Sequence, residues 1–267
     1  MALEINSSSN PRVQAAVRLR ERRDRDSRGL SLVDGGREIG RAIAAGIEVV
    51  ELFACPDLVI SPDAAAALDA ARAASIPVTA VNARVLAKLA FGDRSDGLVA
   101  VIRTPPTDLA RLVLPAEPLI VVAESLEKPG NLGAILRSAD GAGVDALVAT
   151  DPVTDVFNPN AIRASLGTIF AVPVAVATTG ATLAWLRSSG VAIVVARVDG
   201  SVLYSECNLR GPLAIVLGSE ARGLADAWNG PDIKAVRLPM LGMADSLNVS
   251  AAAAILLYEA RRQRDAV

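Results

Sequence analysis

The sequence predicts two α/β units in succession, a small layered one followed by a larger one built on a parallel sheet. Length is the first observation behind this, since 267 residues are long for one compact domain and short for three. The second is that short β-branched runs alternate with helical patterns along nearly the whole chain. The third is a proline-rich interruption, Thr104-Pro105-Pro106-Thr107 and Pro115-Ala116-Glu117-Pro118, after which the alternation restarts with more continuous apolar runs. Such runs suit parallel strands covered on both faces. The expected organisation is therefore a first domain at 1–103, a linker at 104–117 and a second domain at 118–267.

The first element is basic. Positions 12 to 28 carry seven arginines against Glu21, Asp24 and Asp26, a net of +4, on an amphipathic or frayed helix. It is either a solvated helix face or an arm that touches RNA phosphates. Positions 29 to 34 then read as a strand and 36 to 45 as a helix. Strands follow at 49 to 54, 76 to 81 and 98 to 102, with an Ala-rich helix at 62 to 74. In the second domain, strands are expected at 119–123, 146–149, 172–176, 191–196, 213–217 and 235–238. Helices fit between them at 132–140, 160–166 and 181–189, with a last one from about Ser246 to Arg262. Asp245 and Ser246 are its candidate N-caps. It stays almost uncharged until Glu259, and a helix apolar all round wants cover all round, from its own domain or from a second subunit.

Composition then removes whole classes of chemistry. The chain has no histidine, which excludes Ser-His-Asp triads, Cys-His pairs, histidine-ligated metals and imidazole bases. Cys55 and Cys207 lack metal-ligand spacing and read as small buried hydrophobes, so no metal is expected. With no basic leader and no long uncharged apolar run, the protein is expected to be soluble and cytoplasmic, without a membrane partner. A net charge of −2 gives no global pull toward nucleic acid, so RNA contact would have to be local.

Three strand ends carry small polar and glycine residues. One is Glu124-Ser125-Leu126-Glu127-Lys128-Pro129-Gly130-Asn131, which opens a helix carrying Arg137. Taken alone, Asn131 could be a helix cap and Arg137 a surface residue paired with Asp140. The next is Leu217-Gly218-Ser219-Glu220-Ala221-Arg222-Gly223, where two glycines allow close backbone approach. The last is Leu238-Pro239-Met240-Leu241-Gly242-Met243-Ala244-Asp245-Ser246-Leu247-Asn248-Val249-Ser250. All three fall at C-terminal ends of expected parallel strands, where α/β sheets bind ligands. By contrast Gly141-Ala142-Gly143-Val144-Asp145-Ala146 matches a G-x-G-x-x-A dinucleotide pattern but ends a helix and precedes a strand, so its glycines read as a helix C-cap and turn. That placement counts against a nucleotide-dependent oxidoreductase.

In order and spacing, the blocks 131–137, 218–223 and 239–250 resemble motifs one, two and three of the SpoU (TrmH) branch of the SPOUT RNA methyltransferases. The stretch 155–167 is also similar to the family's pattern, and coverage runs from about Leu119 to Arg262. The basic start and first domain resemble, more loosely, the N-terminal substrate-binding extension of rRNA-directed members, including thiostrepton-resistance methyltransferases. The resemblance implies a deep trefoil knot, a homodimer formed through the catalytic domain, and S-adenosylmethionine-dependent methylation of a ribose 2′-hydroxyl in RNA, rRNA first. A tRNA methyltransferase or a non-catalytic RNA-binding ribosome-assembly factor retaining the fold are the alternatives. It further implies catalytic roles for Arg137, Asn131, Glu220, Ser246 and Asn248. Cofactor contacts would come from Leu217, Gly218, Ser219, Gly223, Leu238, Pro239, Met240, Gly242, Ser246 and Leu247. Arg18, Arg22, Arg23 and Arg25 in the basic start, with Arg163, are the candidate RNA contacts.

Overall fold

The computed structural model describes residues 4–90, 96–219 and 222–265. They form two compact units, Met1–Pro105 with Phe157–Ala171, and Pro106–Val156 with Val172–Val267.

The first unit carries a five-stranded sheet of order β1-β4-β3-β5-β2. Its strands are β1 (Glu4–Ile5), β2 (Leu30–Asp34), β3 (Val49–Ala54), β4 (Val78–Val81) and β5 (Leu98–Arg103), and its helices α1 (Pro11–Arg18), α2 (Arg22–Arg28), α3 (Gly36–Ala44), α4 (Pro62–Ala73) and α5 (Ala83–Leu89). β5 runs antiparallel to both neighbours, while β1, β4 and β3 are mutually parallel. Val13, Ala16 and Leu19 meet Val85, Leu86 and Leu89 over Phe53 and Val99 in one core cluster.

Three features depart from expectation, the first being the two-residue strand β1. The basic helix breaks in two, because the end of α1 is closed by a side chain: Arg25 is buried, and its Nη1 donates to the carbonyls of Leu19 at 2.8 Å and Arg20 at 2.6 Å. A guanidinium there satisfies carbonyls orphaned by the helix end. Helix α5 is an addition, signalled by Asn82, whose side chain accepts from the Val85 amide as an N-cap, and by apolar residues at 85, 86 and 89.

The second unit is a seven-stranded, wholly parallel sheet of order β10-β12-β9-β11-β6-β7-β8. It opens with β6 (Leu119–Glu124), α6 (Pro129–Gly141) and β7 (Ala146–Thr150). Next in the chain comes α7 (Pro159–Ala164), within the segment that belongs to the first unit, where Ser31 Oγ donates to the Phe157 carbonyl at 2.7 Å. Then follow β8 (Val174–Ala177), α8 (Thr179–Ser188), β9 (Ala192–Ala196), β10 (Val202–Leu203), β11 (Leu213–Leu217), β12 (Ile233–Arg237) and α9 (Val249–Asp265). The six expected strands are all present and β10 is an extra edge. Part of the expected linker folds onto this unit: Leu109, Leu112 and Leu114 pack against the core cluster containing Trp228 and Val216.

After β12 the chain returns so that α9 packs on α6. Arg261 closes the C-terminus of α6, donating from Nε to Ala142 O at 2.9 Å and from Nη2 to Gly143 O at 3.1 Å, and Gly143 takes a positive φ of 65°. The G-x-G-x-x-A match is thus a helix end and turn. At the same C-terminal end of α9, Gln263 accepts from the Leu209 amide at 2.9 Å and donates to Cys207 O at 3.0 Å. Both cysteines are buried.

Glu259 braces that end. Hydrogen bonds from Arg262 hold its carboxyl down from 4.5 to about 2, with Gln263 helping. A depressed carboxyl contributes stability that is complete above its unfolded value and is lost as pH falls through the folded one. Glu259→Gln is therefore expected to lower unfolding free energy at pH 6, with the difference from wild type closing as pH drops from about 4.5 toward 2. Denaturant melts across that range check it; a difference that does not change with pH would refute it.

Candidate active site

Three adjacent strands, β12, β9 and β11, end beside one cavity of about 530 Å3. Its walls are apolar, with Leu217, Leu224, Val236, Leu238, Val249 and Leu256 among the lining, and its polar lining includes Arg197, Asp199, Ser219, Arg222, Asp245 and Ser246. An apolar pocket with a few fixed polar groups at the C-terminal edge of a parallel sheet is what a nucleoside-sized ligand requires.

The second motif is shaped by backbone proximity. Ser219 and Gly223 exchange backbone hydrogen bonds of 3.2 and 2.9 Å, folding the loop back on itself. A Cβ on Gly218 would stand 2.4 Å from the Gly223 carbonyl carbon, so only glycine fits there. Leu217, Gly218, Ser219 and Gly223 all line the cavity, while Glu220 lies outside the described residues.

The third motif enters through Leu238, Met240, Asp245, Ser246 and Leu247, which line the cavity; Pro239 and Gly242 do not. The last helix starts three residues later than expected. Asn248 accepts from the Ser250 amide at 3.0 Å and acts as its cap, so Asp245 and Ser246 are not caps and are left to face the cavity. Asn248 Nδ2 also donates to Asn131 Oδ1 at 3.2 Å. The first and third motifs are thereby tied, and Asn131 is an inter-helix partner, since α6 has Lys128 as its N-cap.

Arg137 on α6 and Asn248 are exposed and Asn131 is half-buried, and none of the three lines the cavity. Arg18, Arg22 and Arg23 are exposed in the first unit, Arg22 within 3.4 Å of Asp26. Arg25 must be reassigned. Arg25 is 3% exposed and committed to the α1 carbonyls, and Arg163 pairs at 3.4 Å with the buried carboxylate of Asp34. Desolvated and already partnered, Arg25 does not present its charge as an open phosphate contact, whereas the Arg163 side chain stays 30% exposed beside its partner.

Sequence reasoning predicted the middle strand but missed that its end contributes to the cavity. Ala196, Arg197, Val198 and Asp199 at the end of β9 line the cavity, with Arg222 and Leu224 from the second motif. A signal was present: a predicted strand running into Arg197-Val198-Asp199-Gly200, opposite charges two apart before a glycine. Another omission is Glu124. It is buried at the end of β6 and accepts from Thr179 Oγ1 at 2.7 Å, Trp228 Nε1 at 2.8 Å and the Ala225 amide at 2.8 Å. It positions the loop whose Leu224 reaches the cavity. No group of three or more metal-ligating side chains occurs among the described residues, and no described helix is long and apolar enough to cross a membrane.

Residues 118–258 match the SpoU rRNA Methylase family, and residues 10–100 match the MRM3-like substrate binding domain. Over 97% of its length the chain is 33% identical to a 23S rRNA (uridine(2479)-2′-O)-methyltransferase of Streptomyces viridochromogenes, covering 92% of that protein. Among solved structures, an RNA 2′-O ribose methyltransferase superposes with a TM-score of 0.85 at 40% identity, over 98% of this chain and 99% of the other. An AdoMet-bound rRNA methyltransferase from Sinorhizobium meliloti does so with a TM-score of 0.88 at 29% identity, over 98% of both chains.

Proposed function

The chain belongs to the SpoU rRNA methylase family, and from that premise we propose that it methylates a ribose 2′-hydroxyl in ribosomal RNA with S-adenosylmethionine as donor. The observation that carries the reading is the cavity where the second and third motifs converge at three adjacent strand ends. The residues present fit the cofactor. Leucine and valine walls suit an adenine ring, and the close packing of Gly218 on the Gly223 backbone sets the shape of the loop that lines the cavity. When bound, the cofactor supplies an already activated sulfonium methyl.

What the chain must do is position the nucleotide and stabilise charge. Arg137 holds a phosphate and stabilises negative charge developing on the 2′-oxygen, a role suited to a guanidinium that is hardly ever deprotonated. Asn131 and Asn248, bonded to each other, fix α6 against the loop that opens α9, and Ser246 faces the cavity from that loop. Glu220 orients Arg137 or a proton acceptor. Arg18, Arg22 and Arg23 contact RNA phosphates from the first unit.

The same reading includes a cytoplasmic homodimer with a trefoil-knotted second domain. In its support, α9 returns to α6 after β12, and Ile255 and Tyr258 on α9 remain 37% and 53% exposed at helical spacing. Sedimentation should give a dimer that Ile255→Asp with Tyr258→Asp converts to monomer.

Radiolabelled S-adenosylmethionine offered with separate rRNA and tRNA pools tests the activity. Label is expected in rRNA. Label in tRNA alone would replace the substrate, and label in neither, with no cofactor binding by calorimetry, would favour the assembly-factor reading. Gly218→Ala should weaken cofactor binding about five- to a hundredfold, because relieving the clash displaces the loop at a cost of about 1–3 kcal/mol. Unchanged affinity would refute that use of the loop.

A further inference from the structure

The end of β9 places in the cavity a carboxylate that methyl transfer itself does not use. Asp199 lines the cavity, and both its oxygens are gripped by Arg197: Oδ1 accepts from Nε at 2.8 Å and Oδ2 from Nη2 at 3.0 Å. The guanidinium is steadied in turn by Asn229, whose Oδ1 accepts from Nη1. A side chain two-thirds exposed would ordinarily sample several rotamers. Here the fork fixes its plane, as bidentate Arg–carboxylate pairs do.

An ionised carboxylate has about four lone-pair sites. The fork takes one on each oxygen, leaving one on each. Hydrogen bonding to Arg197 also holds the Asp199 carboxyl below its ordinary range, so at neutral pH it only accepts. Its charge is compensated at contact distance, which blunts attraction for a cationic group while leaving acceptor capacity for neutral donors. Two acceptor sites on adjacent atoms, rigidly held and electrically quiet, match two adjacent hydroxyls.

Resting on the cofactor reading above, we infer that Asp199 accepts hydrogen bonds from the ribose 2′- and 3′-hydroxyls of the bound adenosyl group, with Arg197 and Asn229 as positioning residues. Recognition of ribose hydroxyls by a carboxylate near a strand end is established chemistry in other nucleotide-binding sheets. Here the carboxylate is supplied by the middle of three converging strands, outside all three motifs.

Calorimetry with S-adenosylhomocysteine and its 2′-deoxy and 3′-deoxy forms tests this. Wild type should prefer the parent ligand about tenfold over each deoxy form. Asp199→Ala, which removes both acceptors, should bind the parent about a hundredfold more weakly and each deoxy form about tenfold more weakly, and so lose the discrimination. Asp199→Asn, which keeps the side-chain volume, should lower the same ratio, and so should Arg197→Ala. An Asp199→Ala variant that keeps wild-type discrimination, or weakens all three ligands equally, would overturn the inference and leave the cofactor reading standing. Failure of the wild type to bind the parent ligand would overturn both.

Discussion

Arg137→Ala is expected to lower the turnover number for RNA about 10²- to 10³-fold while leaving cofactor affinity unchanged. The size follows from removing one preorganised group aimed at charge that develops only in the transition state. The selectivity follows from geometry, since Arg137 is exposed on α6 and does not line the cavity. Exposure also means the variant should melt with the wild type, which separates a catalytic loss from a folding one. Arg137→Lys is the sharper experiment. Lysine keeps the charge but loses the planar fork, so turnover should remain well below wild type at every pH. Near-normal turnover of the lysine variant across pH would remove the bidentate role, and a large fall in cofactor affinity would place Arg137 in the cavity wall after all.

The parallel sheet was legible because its strands are uniform apolar runs, such as Leu119–Glu124 and Leu213–Leu217, whose burial needs no long-range information. Helix α5 hid because seven residues give too few turns for periodicity to stand out, and β1 because two residues carry no period at all. Eight of the ten residues expected at the cofactor do line the cavity, because motif spacing fixes which strand ends contribute. Arg197 and Asp199 escaped because nothing in a linear sequence says that β9 lies between β11 and β12; that is strand order, set by tertiary packing. Arg25 misled for a related reason. An arginine in a basic run looks like every other until the break between α1 and α2 creates carbonyls for it to cap.

The largest expected effect on stability belongs to Glu124→Ala. This carboxylate is 3% exposed and serves three donors from two other elements: the hydroxyl of Thr179 on α8, and the Trp228 indole and Ala225 amide from the segment before β12. Deleting it leaves buried donors without acceptors, each costing about 1–3 kcal/mol, so the total should reach about 3 kcal/mol or more. Trp185 and Trp228, the chain's two tryptophans, both lie in the second unit, so fluorescence-detected denaturant melts report on the affected unit directly. Glu124→Gln divides the effect. Its one remaining oxygen can keep Thr179 and Trp228, but its amide nitrogen then meets the Ala225 amide, donor against donor. The glutamine variant should thus lose about 1–3 kcal/mol and, because Leu224 adjoins Ala225 and lines the cavity, bind S-adenosylhomocysteine more weakly than its stability loss alone explains. If Glu124→Ala unfolds within about 0.5 kcal/mol of wild type, as a surface substitution would, the carboxylate does not organise this loop. If it is destabilised yet binds the ligand normally, the link from β6 to the cavity wall through Leu224 is broken, and the site's shape must come from the second and third motifs alone.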